Sequence, residues 1–144
     1  MILDDTLVLS DSQAITADAA STNIIDLGAA GTAYGHSAAV RRDVGIGNHI
    51  PLLVTVTEAF NNLTSMTISL QVDDDAAFGS PKTVATSAAI LLADLDTAGY
   101  TFPFPAELPE GTNERYVRLY YDITGSAPTT GKITAAVVAG RQTS

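Results

Sequence analysis

The chain has 144 residues, no cysteine, and 16 acidic against 7 basic residues, for a formal charge of −9. That length suits one domain of ordinary size, able to bury roughly two-thirds of its unfolded surface without covalent staples. The lack of cysteine excludes disulfides and thiolate metal sites, and the acidity excludes a nucleic-acid footprint, which needs a basic stripe.

Residues 1–12 (MILDDTLVLSDS) lack the basic start of a signal peptide. No apolar run approaches the ~20 residues that cross a bilayer, so no membrane partner is expected. This segment is expected to form an N-terminal arm or an edge strand. Ile2, Leu3, Leu7 and Leu9 are its candidate partner contacts, because termini and loops make contacts that a core cannot. Two short strands are expected at 13–16 and 22–27, split by Asp18-Ala19-Ala20-Ser21. Residues 28–37 (GAAGTAYGHS) form a Gly- and Ala-rich loop, and 40–44 a brief strand exposing Arg41 and Arg42.

Residues 49–60 (HIPLLVTVTEAF) form a strand with Leu52, Val54 and Val56 on one face. Pro51 confines its start to an edge or first position. Asn61-Asn62 is a turn. Residues 66–72 alternate most clearly, with Met66, Ile68, Leu70 and Val72 inward and Thr67, Ser69 and Gln71 outward. Asp73-Asp74-Asp75 ends that strand, Phe78-Gly79-Ser80-Pro81 turns the chain, and 82–87 is a further short strand. Residues 90–95 fit a strand or one helical turn. Residues 100–104 are a strand running into Pro103 and Pro105. The loop 107–113 (ELPEGTN) follows, with Glu107 and Glu110 as candidate contacts.

Residues 115–138 are expected as a β-hairpin. Val117, Leu119, Tyr121 and Ile123 share one face, and Tyr116, Arg118, Tyr120 and Asp122 the other. After a Gly- and Pro-marked connection, Ile133, Ala135 and Val137 alternate against Thr134, Ala136 and Val138. In all there are about eight to nine short antiparallel strands with turn signals every ~8–12 residues and no long helix. That pattern predicts an all-β fold, a β-sandwich or jelly roll, as one domain over residues 1–144.

Residues of a type that carries chemistry are few. Asp73, Asp74 and Asp75 are calcium candidates, since calcium takes six to eight oxygens, but consecutive acids on an extended chain point to alternate sides and the calcium-loop spacing is absent. His36 and His49 are the two histidines, and neither lies in a nucleophile or metal-ligand frame. Glu107, Glu110 and Glu114 surround one loop, as a glycosidase pair would, yet there is no tryptophan to stack on a sugar. Tyr116 and Tyr120, with Arg118 between them, suit either a second buried sheet face or an intersubunit contact. Asn62-Leu63-Thr64 matches a glycosylation sequon without a secretory signal to give it meaning. No cofactor and no catalytic residue is expected.

Four stretches carry a family resemblance: Leu9-Ser10-Asp11-Ser12-Gln13-Ala14 with residues 21–28 (STNIIDLG); Ser69-Leu70-Gln71-Val72 running into Asp73-Asp74-Asp75; Leu108-Pro109-Glu110-Gly111; and 115–121 (RYVRLYY) with 130–135 (TGKITA). In their order and spacing the chain resembles the small capsid cement, or decoration, proteins of tailed bacteriophages, of the type carried by the Bordetella podophage. The resemblance implies a jelly-roll fold and a non-enzymatic role. It implies homo-oligomers, dimers before trimers, that are made in the bacterial cytoplasm. They would sit on the outer capsid surface of the virion and clamp adjacent major capsid protein subunits. The alternatives are a carbohydrate-binding module on a phage appendage, using the tyrosines and Asp73–Asp75, and a small cupin-like enzyme using the histidines.

Overall fold

The computed structural model describes residues 3–42, 50–104, 107–108 and 112–140. After a 3₁₀ turn at Asp5–Leu7 come β1 (Val8–Ala14), β2 (Ala19–Ala20), β3 (Ile25–Asp26), β4 (Leu52–Glu58) and β5 (Leu63–Asp73). Then follow β6 (Lys82–Thr86), β7 (Ile90–Leu91), α1 (Leu92–Leu95), β8 (Tyr116–Gly125) and β9 (Lys132–Val137). Every strand pairing is antiparallel.

The strands form two sheets. One runs β1-β9-β4. The other has β5 and β8 at its centre, with β2 and β3 against β8 and β6 and β7 against β5. Residues 99–102 extend the first sheet beyond β4. The Val56 N–H donates to the Tyr100 carbonyl at 2.8 Å, and the Phe102 N–H to that of Val54 at 2.9 Å. The pairings are therefore nested along the chain: β1 with β9, β2 and β3 with β8, β4 with 99–102, and β5 with β6 and β7. That nesting is a long antiparallel ribbon rolled on itself, which is a jelly roll.

The core follows from period-two alternation. Met66, Ile68, Leu70 and Val72 on β5, and Val117, Leu119 and Tyr121 on β8, face Leu52, Val54 and Val56 on β4 and Ile133 and Ala135 on β9. Phe60, Leu95 and Phe102 fill the ends. Leu9 is also fully buried there, so it packs the core rather than meeting a partner, and β1 is an edge strand rather than a free arm. On β9 the alternation breaks, because Ala135 and Ala136 are both buried where the β1 register shifts.

The expected hairpin at 115–138 is corrected by the structure. Both strands are present, but β8 and β9 lie in different sheets and share no ladder. Residues 126–131 cross the end of the sandwich, held by Asn61 from the β4–β5 connection. Its Oδ1 accepts from the N–H groups of Thr129 at 2.8 Å and Thr130 at 3.1 Å. Alternation reports which face a side chain takes and carries no information about the neighbouring strand.

Smaller differences have similar causes. Gln13 and Ala14 belong to β1, and Ala19–Ala20, expected as a break, pair with Tyr121 and Tyr120. The backbone ladder recruits alanine where the opposite strand offers partners, whatever its propensity. Residues 40–42 form no strand, and the rest of the expected 40–44 strand lies outside the described residues. Residues 90–95 are both alternatives in succession, a two-residue strand and then one helical turn.

Candidate interaction surface

After β3 the chain leaves the sandwich. From residue 29 to residue 41 every side chain is exposed. This stretch is rich in alanine and glycine and has almost nothing to bury. It still has backbone order. Thr32 bridges Ala39, the Val40 N–H donates to the Gly31 carbonyl at 2.8 Å, and the His36 N–H to that of Ala33 at 3.0 Å. The result is a two-legged projection that turns at Tyr34 and Gly35, where Gly35 has φ +82°.

The base of this projection is held by charge. Arg42 Nε donates to the Gly28 carbonyl at 2.7 Å, which ties the two legs together. The Arg42 N–H donates to Asn113 Oδ1 at 2.8 Å, and its guanidinium lies 3.7 Å from Asp74. Alongside, Arg115 grips Asp26 through two parallel bonds of 2.7 Å, the bidentate geometry that suits guanidinium and carboxylate. The Arg115 N–H donates to Asp74 Oδ1 at 3.1 Å, and the Gly28 N–H to Asp26 Oδ1 at 2.8 Å. The clamp therefore joins the end of β3, the end of β5 and the start of β8.

Arg115 holds the Asp26 carboxyl well below its ordinary value of 3.8, at about 2, with the Gly28 N–H adding to the effect. A carboxylate whose pKa falls on folding adds stability above its unfolded pKa and loses it as pH drops through the folded one. Asp26→Asn should therefore melt below the wild type near neutral pH. The gap should close as pH falls from about 4 to about 2. A gap that stays constant over that window would mean Asp26 acts through shape and not through charge.

The outer face of β8 carries Tyr116, Arg118 and Tyr120, all half-buried. Arg118 is engaged within the chain. Its Nε donates to Gln71 Oε1 at 2.8 Å, and its guanidinium lies 4.1 Å over the Phe78 ring. Phe78 is buried with φ +51°, folded back from the turn after β5. The Arg115 guanidinium lies 5.0 Å from the centre of the Tyr116 ring. Arg118 is thus held against the protein's own turn, while Tyr116 and Tyr120 stay half-exposed beside it.

The remaining expected residues scatter. Leu3 and Leu7 are half-buried around the 3₁₀ turn, which Asp4 caps by accepting from the Thr6 N–H at 2.9 Å. Glu107 is exposed and bridges Pro51 through the backbone, and Glu114 pairs with Lys82. Ile2, Glu110 and His49 lie outside the described residues, and His36 is exposed on the projection.

Asp73, Asp74 and Asp75 do not converge. Asp73 accepts from the Asp75 and Ser80 N–H groups, Asp75 from that of Ala77, and Asp74 faces Arg115. They cap a turn, each carboxylate turned to a different donor. Among the described residues no three His, Asp or Glu side chains come together as a metal site would require.

The feature that sequence reading missed is the projection. The stretch 28–37 was legible as a loop. Its support was not, because Arg42 and Asn113 lie 71 positions apart and Arg115 and Asp26 lie 89 apart. The pair Arg41-Arg42 was the only available signal.

Two antiparallel sheets in nested order, with a clamped projection at one end, define a jelly-roll sandwich protein. The Bbp16 family model matches residues 9–137, and the chain belongs to that family of phage proteins. No curated protein matches the chain. Among the described residues no helix is long and apolar enough to cross a membrane.

Proposed function

We propose that this chain is a structural protein that decorates the outside of the phage capsid and bridges adjacent major capsid protein subunits without catalysing a reaction. Membership of a phage protein family carries this reading, and a rigid sandwich bearing a clamped projection is a geometry suited to adhesion. The protein would be made in the host cytoplasm and act on the virion as a homo-oligomer, a dimer before a trimer. The net charge of −9 suits an outward position better than contact with packaged DNA.

The mechanism is linkage. A protein that binds assembled shell and not separated subunits stabilises the shell by mass action, whatever its own chemistry. The carbohydrate-binding alternative depended on exposed tyrosines and on Asp73–Asp75. The three aspartates each bond a different donor inside the chain and do not converge, which favours the capsid reading.

The test uses heads assembled without this protein. They are expected to release DNA at lower temperature or after milder osmotic shock than complete heads, and added protein should restore resistance. Heads equally resistant with and without the chain would end the proposal.

A further inference from the structure

Tyr34 is wholly exposed, at 105% of its reference area, and Val40 on the returning leg is 56% exposed. Ile24 and Leu27, just before the projection, are also among the exposed large apolar residues. An exposed tyrosine alone needs no explanation. Tyr34 is different in its placement: it sits at the tip of a turn whose legs are bonded to each other and whose base is clamped by Arg42. From Gly28 to Tyr34 the leg spans at most ~20 Å. A backbone so held loses little further freedom on docking, which removes part of the cost of ordering a loop against a partner.

Charge narrows the partner. In a chain of net −9, residues 27–42 contain no acid and carry Arg41 and Arg42. Arg42 is committed to the clamp, while Arg41 is exposed next to Val40. The other basic residues of the described structure face inward in the electrostatic sense: Lys82, Arg115 and Lys132 sit on this chain's own carboxylates, and Arg118 on Phe78. An acidic partner surface is repelled by most of this protein and can approach the projection.

We infer that the projection is the docking element. Tyr34 and Val40 enter an apolar socket on a capsid subunit, and carboxylates at the socket mouth receive Arg41. This rests on the capsid reading proposed above and adds which residues make the contact and what chemistry receives them. Tyrosine and arginine at the centre of a patch are the residue types that dominate binding energy at interfaces.

The experiment uses the full chain and heads assembled without it. Tyr34→Ser, Arg41→Glu and, as a comparison, Leu91→Ser are measured for melting temperature and for cosedimentation with those heads. Leu91 is 57% exposed and lies outside the projection. All three variants should melt as the wild type does. Tyr34→Ser should weaken binding more than ~10-fold, and Arg41→Glu should weaken it most at low salt. Leu91→Ser should bind unchanged. A photoreactive benzoylphenylalanine at position 34 should crosslink to the major capsid protein.

If the wild type binds and Tyr34→Ser binds equally well, the inference fails and the capsid reading stands. Equal loss in Leu91→Ser would also overturn it, since binding would then follow general apolar exposure. A crosslink to a second copy of this chain overturns the assignment of the socket. Failure of the wild type to bind ends both ideas.

Discussion

Gly131→Ala is expected to lower the unfolding free energy by about 2–6 kcal/mol, combining left-handed backbone strain with overpacking. Gly131 is buried at the end of the β8–β9 crossing with φ +128°, a conformation that side chains other than glycine rarely adopt. A Cβ built there would overlap the Phe60 ring carbons Cδ1, Cε1 and Cγ. Phe60 cannot simply move away. It is buried at the end of the core, and its N–H donates to the Leu95 carbonyl at 2.9 Å. The same position accepts the Ile15 N–H through its carbonyl at 3.2 Å, so a shift there also disturbs the turn after β1. Urea unfolding measures the loss. In a Phe60→Leu background the alanine should cost less, because part of the clash is relieved while the backbone strain remains. A cost below about 1 kcal/mol in the native background would contradict this packing.

Tyr121→Ala is expected to cost about 3–5 kcal/mol, the range for deleting a large buried ring. The more discriminating variants are smaller. The Tyr121 hydroxyl lies 2.8 Å from Ser10 Oγ inside the core. Ser10 Oγ also lies 2.7 Å from Gln13 Oε1, and Gln13 Nε2 donates to the Ala20 carbonyl at 2.8 Å. The amide of Gln13 is therefore oriented with its oxygen toward Ser10. Ser10 donates to it and so accepts from Tyr121. Burial pushes the Tyr121 phenol pKa up, which keeps it a donor. Ser10→Ala strands a buried hydroxyl and should cost about 1–3 kcal/mol, whereas Tyr121→Phe leaves Ser10 its Gln13 bond and should cost about 0.5–1.5. The double variant should cost less than the sum of the two single changes. Strict additivity would mean the pair is not coupled across the two sheets.

Much of the fold was legible because burial writes itself into alternation. Leu52, Val54 and Val56, then Met66, Ile68, Leu70 and Val72, then Val117, Leu119 and Tyr121, each had to share a face once the chain was extended. All are buried against one another. The two-residue strand β2 left no such trace, since two residues cannot show a period, while β3 falls inside the strand expected at 22–27. Expecting a break at Ala19–Ala20 was reasonable on propensity, and the open edge of β8 overrode it. Leu9 was expected in an arm or an edge strand as a contact, and it lies in the edge strand β1 with its side chain in the core. Tyr116 and Arg118 suited either a second buried face or an intersubunit contact, and Arg118 is engaged from within, over the Phe78 ring that folds back from the turn at 78–81.

What the amino-acid order determined by itself was the strand faces, the sites of the turns and the exclusions that follow from charge and from missing cysteine. These are local properties, set by side-chain period and residue type. What only the tertiary structure decided was which strands meet. It sent β8 and β9 to opposite sheets, joined Ser10 to Tyr121 across 111 positions, and held the projection at 28–42 by an arginine 71 positions from its partner. Such pairings depend on closure of the whole roll, in which each contact becomes favourable only after the others have brought its two halves together.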